Sequence, residues 1–308
     1  MLTDLDGLHH VTSVAGPPRP VDRFWREVMG LRRIKTTVNF DAPEVYHLYF
    51  GDRVGTPGTV MTHFPFPAAP RGTPGTGEAG HVAFSIPPGA AADWERHLAA
   101  HDVPFTRESL FGETRLALTG PDGERLVLVE AEDARAPWTA LPEGMAIRGL
   151  HSVSLRVADR AAMLPLLALM GYAETGQEGA VTRLADATGG PGHLVEIEHR
   201  PDLPAARQGA GSIHHVAFRT RDAESQARIR AGLTEAGHRV TEVRDRDYFR
   251  AIYFATPGGI LFEVATDDPG FARDEPVETL GERLCLPEQH AHLRAHLEEA
   301  LTPLDRPA

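Results

Sequence analysis

The sequence predicts an α+β fold in which four βαβββ modules pair into cup-shaped half-barrels. Three observations predict it. Four segments open alike, "LHHVTSVAG" at 8, "GHVAFSIPP" at 80, "LHSVSLRVAD" at 150 and "IHHVAFRTRD" at 213. Each is followed by a stretch with helical periodicity, and each unit closes on strand-like runs joined by a Gly-rich turn. Aligning the histidine that precedes each short apolar strand gives His10, His81, His151 and His215, spaced by 71, 70 and 64 residues.

The first helix is read in "RPVDRFWREVMGL", where Val21, Phe24, Trp25 and Val28 fall on one face. Gly30 ends it, Gly171 and Gly237 stand at the matching places of units three and four, and Asp102 does so in unit two. Hairpin turns follow at "GTPGTVMTHF", "TGPDGERLVLVEAE", "GGPGHLVEIEH" and "AIYFATPGGILFEVATD". One unit cannot bury both its helix and its sheet face, so units must pair. The expected division is a first domain over 1–140, a second over 141–275, each of two modules, and a helical tail over 276–308. In the tail, "LPEQHAHLRAHLEEAL" reads as one amphipathic helix.

The chain has 308 residues, 42% of them apolar, enough for two ordinary cores. A net charge of −12 gives no electrostatic case for nucleic acid or an anionic membrane. No apolar run has the length of a membrane helix, and the first residues lack the pattern of a secretory signal. A single cysteine, Cys285, rules out an internal disulfide, fits a reducing cytoplasm and is expected to be buried packing.

Chemistry concentrates in units one and four. A βαβββ unit brings its first strand beside its last, so His215 is expected near Glu263, the one acid inside the apolar strand "ILFEVAT". An unpaired carboxylate there is costly and calls for a cation. Unit one adds His10. Two imidazoles and a carboxylate leave open positions on an octahedral ion, an arrangement used by non-haem Fe(II) oxygenases, with Mn(II) or Zn(II) as alternatives. In unit two the place of Glu263 falls on Val127 or Leu128. His81, His151 and Glu196 form a second candidate set, more simply read as a relic. Aligning "TPGTVMTHF" on "TPGGILFEV" sets His63 opposite Glu263, as a fourth ligand, a nearby base or a rim histidine.

The stretches "GLHHVT", "KTTVNFDAPEVYHLYFGDRVGTPGTVMT", "IHHVAF" and "DRDYFRAIYFATPGGILFEVATDDPGF" resemble the ring-cleaving dioxygenases of the vicinal oxygen chelate superfamily, in particular the hydroquinone-type group. The resemblance spans nearly the whole chain, including "LGERLCLPEQ". It implies vicinal oxygen chelate modules, Fe(II), O2 and an aromatic diol substrate; the sequence leaves open whether the soluble chain is a monomer or a homo-oligomer. It also implies His10, His215 and Glu263 as the metal ligands. Around them it implies a pocket of His9, His214, Thr12, Arg246 and Tyr253, with His9 or His214 as acid or base and Tyr253 and Arg246 steadying developing charge. Strict strand alternation turns His214 away from the face of His215, so a bulge at the strand start is required for both to serve one site. Glyoxalase-type isomerases, lyases or transferases on the same scaffold, and a non-catalytic aromatic-binding protein, are the competing readings.

Overall fold

The computed structural model describes residues 1–137 and 140–304. Module one contains β1 (Leu5–Ala15), α1 (Pro18–Arg23), β2 (Arg32–Val38), β3 (Tyr46–Gly51) and β4 (Val60–Pro65). Module two contains β5 (Glu78–Ile86), α2 (Ala91–Ala100), β6 (Phe105–Leu110), β7 (Glu113–Thr119) and β8 (Arg125–Glu130). Module three contains β9 (Gly149–Val157), α3 (Arg160–Leu169), β10 (Ala173–Glu178), β11 (Val181–Ala185) and β12 (Leu194–His199). Module four contains β13 (Ile213–Thr220), α4 (Ala223–Glu235), β14 (Arg244–Asp245), β15 (Phe249–Ala255) and β16 (Leu261–Pro269).

The strands form two eight-stranded sheets, β14-β15-β16-β13-β1-β4-β3-β2 and β10-β11-β12-β9-β5-β8-β7-β6. Module one therefore pairs with module four, and module two with module three. Each sheet draws one module from 1–140 and one from 141–275. The seams are antiparallel, β1 on β13 and β5 on β9, while within each module the first and last strands run parallel. Each sheet curls into a half-barrel whose concave face is a cup.

The helices lie on the outer faces and share one large core. Val21, Phe24, Trp25 and Val28 are all buried, as their spacing requires. Trp25 packs 5.7 Å from Phe84 of the other sheet, centroid to centroid. Burying an aromatic of this size contributes roughly 2–3 kcal/mol, so this contact is part of what holds the two sheets together. The second half of this helix is wider than the periodicity predicts. Phe24–Val28 forms a π-turn, with Met29 N–H bonding to the Phe24 carbonyl. The helix ends read in the sequence adopt left-handed backbone, with φ of 69° at Gly30, 56° at Asp102, 93° at Gly171 and 90° at Gly237.

The tail departs from the single helix expected. Glu288–Leu293 is a tight 3-10 stretch, and only Arg294–Ala300 (α5) is α-helical. The 3-10 turn carries His290 against the Phe40 carbonyl, and this anchors the tail to the β2–β3 loop. Among the described residues no helix is long and apolar enough to cross a membrane.

Candidate active site

The cup of the first sheet holds a cavity of about 270 Å³. Its walls are aromatic, with Phe40, Phe64, Phe66, Phe249, Tyr49 and Tyr253, and its floor carries His10, His215 and Glu263. Glu263 reaches this floor from β16, where it pairs with Ala217, two residues after His215. His10 and His215 come from the two strands of the seam.

The three donor atoms converge. His215 Nε2 stands 2.9 Å from Glu263 Oε2, His10 Nε2 stands 3.5 Å from the same oxygen, and the two Nε2 atoms are 3.4 Å apart. Donors about 2.1 Å from one ion stand about 3.0–3.4 Å apart at octahedral to tetrahedral angles, so this set fits a metal ion. All three residues are buried, and neither Glu263 oxygen accepts a hydrogen bond of ordinary geometry. Burial alone would raise the Glu263 carboxyl, but His10 and His215 outweigh it and hold it far below the usual carboxylate range. The site is therefore a bare buried carboxylate facing two imidazole nitrogens.

Hydrogen bonding fixes which nitrogen of His10 carries the proton. His9 Nε2 lies 3.2 Å from the Thr266 carbonyl, which can only accept, so His9 donates from Nε2. Burial, with the neighbouring His10, lowers His9 to about 3, so its ring is neutral and its Nδ1 is an acceptor. The contact between the Nδ1 atoms of His9 and His10, at 2.8 Å, is then donated by His10. His10 Nε2 is left with a lone pair aimed at the floor, the tautomer a metal needs. His214 and His215 repeat the arrangement, with their Nδ1 atoms 2.8 Å apart.

Paired histidines on a strand need broken alternation, and both strands have it. The β1–β13 register shifts between Leu8 and His10 and again between Thr12 and Ser13, opposite His214. These bulges bring His9 beside His10 and His214 beside His215.

The remaining expected residues fall in different places. His214 lies at the mouth of the cavity, lowered to about 4 chiefly by burial. Arg246 and Tyr253 line the cavity, with Arg246 Nε donating to Tyr253 Oη at 3.1 Å. Burial, reinforced by the Glu263 charge, raises the Tyr253 phenol, so it stays protonated. His9 is not in the lining, and both its nitrogens are engaged, so it is placed to orient His10 and not to exchange protons with a substrate. Thr12 lies behind the wall, its hydroxyl 2.8 Å from that of Thr62. His47, Tyr49, Phe64 and Phe249 were not singled out in the sequence. Strand alternation was the available signal, since Phe249 shares a face with Tyr253, and His47 shares one with Tyr49.

His63 is not near the floor. It packs against Trp25, 5.1 Å between centroids, and its Nδ1 meets Ser13 Oγ at 2.6 Å. The register explains this. Thr62 pairs with Thr12, two residues after His10, exactly as far along as Glu263 is from His215 through Ala217, so Thr62 occupies the place of Glu263. A one-residue slip in the alignment of the turns puts His63 on the opposite face.

The candidate set His81, His151 and Glu196 does not assemble either. Arg115 and Arg183 hold Glu196, with Arg115 Nη2 2.6 Å and Arg183 Nη2 2.7 Å from Oε1. His151 faces Glu113 at 3.5 Å. Cys285 is buried, as expected.

Four βαβββ modules paired into two cups, with one His–His–Glu floor, define a vicinal oxygen chelate protein. Residues 149–264 match the family described as the Glyoxalase/Bleomycin resistance protein/Dioxygenase superfamily. Over 304 residues the chain is 41% identical to the Bacillus subtilis (strain 168) protein named "Putative ring-cleaving dioxygenase MhqO", covering 97% of this chain and 96% of that one. It is 31% identical to the "Chlorohydroquinone/hydroquinone 1,2-dioxygenase" of Sphingobium indicum, covering 90% of each. A crystal structure of a "putative dioxygenase" from Bacillus subtilis superposes with a TM-score of 0.95 at 40% identity, covering 98% of both chains. The chain belongs to this superfamily and, within it, to the group of ring-cleaving dioxygenases that these relatives represent.

Proposed function

We propose that the protein is a metal-dependent dioxygenase that cleaves the ring of a hydroquinone- or catechol-type aromatic, with Fe(II) as its metal. The observation that carries this is the bare Glu263 carboxylate, 2.9 and 3.5 Å from two imidazole nitrogens, at the floor of an aromatic cavity. The names of the relatives support the reaction class. His10, His215 and Glu263 would hold the ion, which, when bound, supplies Lewis acidity and a redox couple between an aromatic diol and O2.

The chain's own residues do the rest. A cavity of roughly 150 Å³ takes benzene, so about 270 Å³ suits a single ring with small substituents. The Phe64, Phe66 and Phe249 walls contact the ring faces and exclude water. Phe249 also packs 5.0 Å from the His10 ring and fixes its orientation. Neutral His214 at the mouth of the cavity, its Nδ1 taken by His215, keeps its Nε2–H to donate to a substrate oxygen. The Tyr253 hydroxyl, held by Arg246, is left to donate to an oxygen that gains negative charge. The Arg246 guanidinium lies over the Phe40 and Tyr253 rings and favours an anionic diol or ring substituent. The partners proposed are thus the diol and O2, in a reducing cytoplasm.

Anaerobic loading with Fe(II), followed by O2-uptake measurements with hydroquinone and with catechol, tests the reading. Stoichiometric O2 consumption with loss of the aromatic absorbance is expected. No uptake across a panel of aromatic diols by the iron-loaded protein refutes it.

A further inference from the structure

The second sheet builds a second cup from corresponding positions. His81 pairs with Ser154 across its seam as His10 pairs with Ala217 across the other. Ser154 and Ala217 in turn pair with Glu196 and Glu263. Glu196 therefore stands in the place of Glu263, His81 in that of His10, and Ser152, not His151, in that of His215. Arg183 pairs with Glu196 as Tyr253 pairs with Glu263. On the other side, Val127 replaces Thr62 and Ala117 replaces Tyr49. Two residues before Ala117 stands Arg115, and two before Tyr49 stands His47.

The two cups hold their carboxylates differently. Glu263 has no hydrogen-bond donor, whereas Glu196 takes both nitrogens of the fully buried Arg115, at 2.6 and 3.2 Å. His81 Nε2 still lies 3.5 Å from Glu196 Oε2, as His10 does from Glu263, and neither His81 ring nitrogen has a hydrogen-bond partner. Two guanidinium groups thus sit on the carboxylate that a metal ion would need, Arg115 through both Nη atoms and Arg183 through one, and only Arg115 stands at the place of His47. In the first cup, His47 cannot do this. Its Nδ1 lies 2.9 Å from Tyr49 Oη and its Nε2 2.9 Å from Thr62 Oγ1, so both nitrogens are tethered to the wall. Burial also keeps the ring neutral.

We propose that the side chain at position 47 selects the cation of the first cup. A tethered neutral imidazole leaves Glu263 to a metal ion, and a guanidinium at the same position takes the ion's place, as Arg115 does on Glu196. The inference rests on the metal reading above. It makes position 47 a determinant of metal occupancy without being a ligand.

Mn(II) binding to metal-stripped protein, by equilibrium dialysis under argon and metal analysis, tests it in wild type, His47→Met and His47→Arg. Loss of a partner that merely supports a ligand costs about 10–100-fold in metal affinity. His47→Met, of similar reach but neutral, is expected to stay within about tenfold of wild type, and His47→Arg to lose more than about 100-fold. Circular dichroism and a cooperative unfolding transition verify the fold, and His47→Lys carries the test if His47→Arg does not fold. Mn(II) should raise the melting temperature of wild type and His47→Met but not that of His47→Arg. Equal losses in the Met and Arg variants, or tight Mn(II) binding by the Arg variant, overturn the inference alone. A wild type that binds no Mn(II), Fe(II) or Co(II) overturns the metal reading and the inference with it.

Discussion

Replacing Arg115 with Met keeps the apolar bulk and removes a guanidinium from between Glu113 and Glu196. In the wild-type cup two carboxylates face two guanidinium groups. Arg183 holds Glu113 through both Nη atoms, at 2.7 and 2.6 Å, and also contacts Glu196. Without Arg115 one cation serves two acids, and Glu196 is fully buried. Breaking a buried pair by deleting one partner costs about 3–5 kcal/mol, so the variant should lose about that much stability at pH 8. The pH dependence gives the sign. Burial raises the Glu196 carboxyl, but His81 and Arg115 outweigh it and hold it far below the usual range. The wild-type pairing therefore stabilises the fold above the unfolded carboxyl range and is lost only in strong acid. With Arg115 gone, burial is less opposed, the carboxyl rises, and protonation relieves the penalty as pH falls. Urea unfolding of the metal-free protein at pH 8 and pH 5.5 checks both parts. A loss below about 1 kcal/mol at pH 8, or a penalty that grows towards acid, refutes the reasoning.

Three further predictions concern other positions. Burial, with the nearby Asp122 charge, pushes the Glu124 carboxyl up to about 7. The folded state then holds a proton that the unfolded state releases, so this group's contribution is full below about pH 4.5 and falls as pH rises to about 7. Glu124→Gln should gain on wild type by up to roughly 3 kcal/mol between pH 4.5 and 8 in paired denaturation curves, and parallel curves would contradict this. His63→Phe should leave metal content unchanged, because His63 lies against Trp25 and not on the floor. Loss of metal in that variant would restore it as a ligand. His9→Phe removes the acceptor that fixes the His10 tautomer and should weaken Mn(II) binding about 10–100-fold. Unchanged affinity would show that His10 needs no such support.

Much of the fold was legible because its signals are local. Gly30, Gly171, Gly237 and Asp102 mark helix ends by a backbone conformation that few residues accept. The apolar face of Val21, Phe24, Trp25 and Val28 buries as spaced, although the turn beneath it widens. Glu263 stood out as an acid in an apolar strand, and the floor of the first cup could be drawn from it. The errors came from register. A match between two turns counts residues, but a strand's face depends on its pairing, so His63 was set one residue out. In "LHSVSL" the histidine aligns with His214 and the serine with His215, so His151 stands beside the ligand position and the relic reading of that set agrees with the pairing of Glu196 and His151 to Arg115, Arg183 and Glu113. Arg115 and Arg183 carried no local signal, since they meet Glu196 only because module two pairs with module three.

The central claim is that one ion is held in the first cup by two imidazoles and one carboxylate. X-ray absorption at the metal edge of the Fe(II)-loaded protein counts imidazole ligands directly. Two imidazoles, falling to one in His215→Ala, are the result predicted. Three imidazoles, or a first shell unchanged in His215→Ala, would contradict it.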